Sequence, residues 1–135
     1  NSMPHATPDV IDLGIDPEAA TRLLPHLDSF VKWELLRFLH DNPGTAATVD
    51  ELARYMGRDE MELKPAVRAL ATAGIFRQDE GDSGCAFSLT EDENLRRLIR
   101  HLVRGFAADR LVRLAISSHI LRSQRQAARP QLGAG

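Results

Sequence analysis

One spacing constrains this chain more than any other feature: Ala53, Gly57 and Leu63, at offsets of four and six, followed by Gly74. Two helices that cross steeply need a small residue where they touch, a glycine in the turn and an apolar anchor on the second helix. Ala53, Gly57 and Leu63 supply these in order, and Leu52, Met56 and Ala66 complete the inward set. Thr48 or Val49 opens the first helix, with Asp50 and Glu51 at its positive dipole end. Gly57 predicts a left-handed residue just past that helix. Asp59 opens the second helix with Glu62 as its capping-box partner, and Leu63, Ala66, Val67 and Leu70 point inward. Gly74 ends it.

The flanks extend this unit. Asp16-Pro17-Glu18 is a helix start, and Ala20, Leu23, Leu24 and Leu27 follow as one apolar stripe, shortened or kinked by Pro25. Ser29 caps a helix with Phe30, Trp33, Leu36 and Leu39 inward, stopped by Asn42-Pro43-Gly44. Two short strands, Ile75 to Gln78 and Ala86 to Leu89, flank a turn-rich tip over 79–84. Thr90 with Glu93 reads as a capping box opening a helix with Leu95, Leu98, Ile99, Leu102, Val103 and Phe106 inward. Gly105 marks a bend or break near 105–109, after which Asp109 caps a helix through Leu121. The predicted fold is mainly α with a small β-hairpin. Residues 1–15 read as a flexible arm, 16–121 as one domain and 122–135 as a frayed tail.

The stretch from Thr48 to Gly57, then Leu63 to Leu70, then Ala73-Gly74-Ile75-Phe76 resembles winged helix-turn-helix transcription regulators, broadly the MarR-like and ArsR-like kind. The likeness covers residues 29–89, with helices 17–27 and 91–121 flanking it. It implies double-stranded DNA as partner, Glu60, Met61, Lys64, Pro65 and Arg68 facing outward on the reading helix, and Arg58, Lys64, Arg68 and Arg77 as DNA contacts. It also implies that the flanking helices build a two-fold homodimer. Winged helices serve too as protein-binding modules, so a scaffold that meets a protein partner and no DNA stands beside the regulator. The packing residues Ala53, Gly57, Leu63 and Gly74 do not separate the two.

Charge bears on that choice. Residues 1–93 carry 8 Lys/Arg against 18 Asp/Glu, whereas residues 94–135 carry 9 Arg against a single acid, Asp109. DNA affinity comes mainly from Lys and Arg near phosphates. Between Gly57 and Asp82, however, Asp59, Glu60, Glu62, Asp79, Glu80 and Asp82 outnumber Arg58, Lys64, Arg68 and Arg77. The basic charge lies instead on a second face, Arg96, Arg97, Arg100 and Arg104, continued by Arg110, Arg113, Arg122, Arg125 and Arg129. Four readings fit it: a solvated helix face, pairing with the acidic half in the same chain or a dimer mate, phosphate contact, or a membrane surface, of which the last is the weakest because the apolar side serves as core. Leu111, Val112, Leu114, Ala115, Ile116, Ile120 and Leu121 form an apolar block that predicts a dimer or partner interface.

No catalytic constellation is visible, and neither a metal site nor a cofactor is expected. His5, His26, His40, His101 and His119 show no ligand spacing with Cys85 or a carboxylate pair. His119 reads as a helix-surface or interface residue. The single cysteine, Cys85, rules out an intramolecular disulfide in this sequence and fits the cytoplasm. No apolar run approaches the roughly 18 residues that read as a bilayer span, and no signal-peptide pattern is visible at the N-terminus.

Overall fold

The computed structural model describes residues 14–128, and the arm at 1–13 and the tail at 129–135 lie outside them. Within that span the chain is mainly helical with one antiparallel hairpin. The order is α1 (Pro17–Arg22), α2 (Phe30–Asp41), α3 (Val49–Met56), α4 (Glu60–Thr72), β1 (Phe76–Gly81), β2 (Gly84–Leu89), α5 (Glu93–Ala108) and α6 (Arg110–Ala128).

Local chemistry sets these boundaries. The Asp16 carboxylate accepts from the N–H groups of Glu18 and Ala19 ahead of Pro17. Pro25 ends α1 early, and a 3-10 turn over Leu24–His26 replaces its continuation. Thr48 and Glu51 form a reciprocal capping box at the start of α3. Gly57 is left-handed, with φ 66°, and lets the Arg58 N–H reach back to the Ala53 carbonyl. Gly74, with φ 81°, ends α4 in a Schellman motif, through Ile75 N–H to Leu70 and Gly74 N–H to Ala71. Pro65 breaks one rung of the α4 ladder without ending the helix.

Several boundaries depart from the sequence reading. Asp92, not Thr90, caps α5; the Thr90 hydroxyl instead accepts from the Asp92 N–H. Glu62 does not return to the α4 cap, because Arg58 holds it. The hairpin strands run on to Gly81 and from Gly84, so Asp79 and Glu80 sit in the ladder opposite Ala86 and Cys85, and only Asp82 and Ser83 form the tip. Helix α6 does not fray at Arg122 but continues to Ala128, tied down by the Gln124 side chain accepting from the Phe30 N–H at 2.9 Å. Ile15, assigned to the arm, is only 2% exposed and belongs to the core.

The core is continuous. Leu63, Ala66, Val67 and Leu70 of α4 pack with Leu35, Leu36 and Leu39 of α2, Leu52 of α3 and Phe76 and Phe87 of the hairpin. Ala47 joins the hairpin edge through paired bonds with Phe87, at 3.0 and 2.8 Å. Helix α5 adds Leu95, Leu98, Ile99, Leu102 and Val103, and α6 adds Val112, Ala115, Ile116 and Ile120. Helices α5 and α6 approach so closely at Gly105 that a Cβ there would lie 2.9 Å from a Val112 methyl. No helix of the described residues is long and apolar enough to cross a membrane.

Candidate functional site

The inward residues of α4 fix which side chains it displays. With Leu63, Ala66, Val67 and Leu70 buried, the 3.6-residue period leaves Glu60, Met61, Lys64, Pro65 and Arg68 exposed. Lys64 and Arg68 are one turn apart. Neither meets a carboxylate among the described residues. They line a groove of about 370 Å³ between α4, the first turn of α3 and the hairpin. Asp50, Glu60 and Glu80 line the same groove. Asp50 is taken up by Arg54 at 2.9 Å, which leaves Glu60 and Glu80 against the two cations.

The other two expected DNA contacts are engaged inside the chain. Arg58 forms a bidentate pair with Glu34, both bonds 2.8 Å, and adds Glu62 at 3.2 Å, with its side chain only 28% exposed. The hydrogen bonds it donates to Glu34 hold the guanidinium even more firmly protonated than usual. Arg58 therefore clamps the α3–α4 turn onto α2 and is not a free phosphate ligand. Arg77 on β1 is bonded to Asp79 at 3.0 Å and to Glu91.

The second basic face is divided as well. Arg96 turns its Nε onto the Thr90 carbonyl at 2.6 Å. Arg97 meets Glu18 at 3.5 Å and Asn94 at 2.7 Å. Arg113 donates to the Phe106 and Ala107 carbonyls at the end of α5. Among the described residues, Arg97 alone of the arginines after Asn94 pairs with a carboxylate. Pairing within one chain thus absorbs one of these charges, and Arg100 and Arg104 stay exposed without an ionic partner in the described residues.

The apolar block on α6 splits in two. Val112, Ala115, Ile116 and Ile120 are buried in their own chain, so they are core and not a free interface. Leu111, Leu114 and Leu121, at i, i+3 and i+10, remain 54, 50 and 48% exposed on another side of the helix. His119 is half-buried, and its Nε2 sits 2.6 Å from the Leu24 carbonyl.

Three cross-chain contacts had no sequence signal: His119 to Leu24, Gln124 to Phe30, and the Asp16 N–H donating to His101 Nε2 at 2.9 Å. Each spans more than eighty residues, and nothing local distinguishes these polar side chains from solvated ones. Among the described residues no group of three His, Cys, Asp or Glu is placed to hold a metal ion. The chain matches no family model, no curated protein and no solved structure.

Proposed function

We propose that this chain is a winged helix-turn-helix protein that binds double-stranded DNA in the cytoplasm as a homodimer and regulates transcription. The observation that carries this reading is the outer face of α4: Lys64 and Arg68 stand exposed, without a carboxylate partner among the described residues, along a groove bounded by the hairpin. The order α2, α3, α4, hairpin, with Ala47 added to the sheet edge, supports the same reading, because it is the arrangement that presents a second helix to a major groove beside a β-ribbon. The exposed row Leu111, Leu114 and Leu121 supplies the two-fold contact, an apolar stripe a second copy would cover.

Titration of a random duplex at several salt concentrations tests it. Binding should weaken as salt rises, and Lys64→Ala with Arg68→Ala should flatten the slope of log K against log salt by about 1.8, the share of two phosphate contacts. Absence of binding at low salt would remove the DNA reading.

A second reading has its own support. Acids neutralise Arg58 and Arg77, and Asp79, Glu80 and Asp82 crowd the hairpin. That charge pattern favours a winged-helix interaction module, in which the hairpin and the α6 leucines meet a protein partner.

A further inference from the structure

A cleft of about 510 Å³ opens on the other side of the hairpin, between the end of α2, the 43–46 loop and the start of α5. Its volume falls in the usual range of small-molecule sites, about 300–1,000 Å³. Three arginines converge on it: Arg77, Arg96 and Arg100. Both carboxylates of the cleft, Asp79 and Glu91, are already bonded to Arg77. Arg96 and Arg100 have no direct carboxylate partner among the described residues. The bond from Arg96 Nε to the Thr90 carbonyl fixes the plane of that guanidinium and leaves its terminal nitrogens uncommitted. Pro43 and Leu89 give the cleft an apolar wall, and Ser88 adds a hydroxyl.

We infer that this cleft binds a small phosphomonoester, its phosphate held by Arg96 and Arg100 and its organic part laid on Pro43 and Leu89. A pre-oriented guanidinium suits a phosphate better than a point charge does, because it offers parallel N–H donors in a fixed fork. Three arginines against two carboxylates leave the cleft with one net positive charge, which favours an anion. The site is independent of DNA binding, because neither Lys64 nor Arg68 lines it. An occupant would touch Arg77 and Ser88 of the hairpin together with the loop that leads to Ala47, so it would lock the hairpin to the body of the protein.

Calorimetric titration of the full chain with phenyl phosphate, phenol, benzoate and inorganic phosphate, at constant ionic strength, tests the assignment. Phenyl phosphate should bind most tightly. Arg100→Gln, an exposed position whose replacement should leave the melting temperature unchanged, should weaken it at least about tenfold, the order expected for a lost charge-assisted hydrogen bond. Lys64→Ala should leave it unchanged. Amide resonances of Thr45, Ser88 and Leu89 should shift on binding. Phenol or benzoate binding as tightly as phenyl phosphate, inorganic phosphate alone binding equally well, or Arg100→Gln retaining full affinity would each overturn the proposal.

Discussion

Two charged residues show how this chain spends side chains on holding itself together. Arg58 follows the turn glycine, where a phosphate ligand is expected, yet Glu34 and Glu62 grip it on both sides. Both acids are partly solvated, which discounts the pair. Arg58→Ala should therefore destabilise the fold by only about 1 kcal/mol in urea denaturation, while leaving the affinity for duplex DNA unchanged. A loss of DNA affinity without loss of stability would return Arg58 to the binding surface. Asp16 acts at the start of α1. The N–H groups of Ala19 and Glu18 hold its carboxyl below the ordinary aspartate range. A group depressed in the folded state contributes stability above its unfolded pKa, about 3.9, and loses that contribution as pH falls through the folded value. Asp16→Ala should accordingly lower the melting temperature at pH 7 and make little difference at pH 2.

Among the elements, α3 and α4 were the most legible, because Thr48, Glu51, Gly57 and Gly74 act through bonds only a few residues long. The start of α5 was less so. Thr90 and Asp92 are both cap residues by type; the Asp92 carboxylate takes the Leu95 N–H, and Thr90 accepts from the Asp92 N–H behind it. The apolar block on α6 shows where such reasoning stops. Its sequence contains two stripes, and both are apolar; only the packing of the helix against the rest of the chain, α5 above all, determines that Val112, Ala115, Ile116 and Ile120 are covered while Leu111, Leu114 and Leu121 are not. The α4 face was legible as geometry, but the ion pairs that remove Arg58 and Arg77 from it cross between elements. Gly105 makes the α5–α6 contact testable. Alanine there gains roughly 1 kcal/mol of helix propensity, but its Cβ meets a stiff β-branched neighbour, an overpacking cost of about 1–3 kcal/mol. Gly105→Ala should thus be destabilising on balance by calorimetry, and Val112→Ala should be less costly in that background than in the native chain.

At the scale of the whole molecule, charge and greasiness are segregated. Acids surround the hairpin, free arginines follow α5, and three leucines line one side of α6. If those leucines form the two-fold contact, light scattering at tens of micromolar should give a dimer, and Leu114→Glu should give a folded monomer with an unchanged circular dichroism spectrum. A monomeric native chain at that concentration would remove the homodimer and leave the α6 stripe to another partner. Because the exposed leucines and the buried valine, alanine and isoleucines belong to different sides, the substitution separates assembly from folding.

The contacts from α6 back to Leu24 and Phe30 carry a consequence for how the protein is made. They join residues 95 and 94 positions apart. At about 5–20 residues per second of synthesis, the first N–H of α2 waits on the order of 5–20 s for Gln124 to emerge. During that interval the Leu24 carbonyl and the Phe30 N–H lack their α6 partners. The N-terminal end of α2 and the Leu24 turn therefore gain their final hydrogen bonds only after α6 has been made.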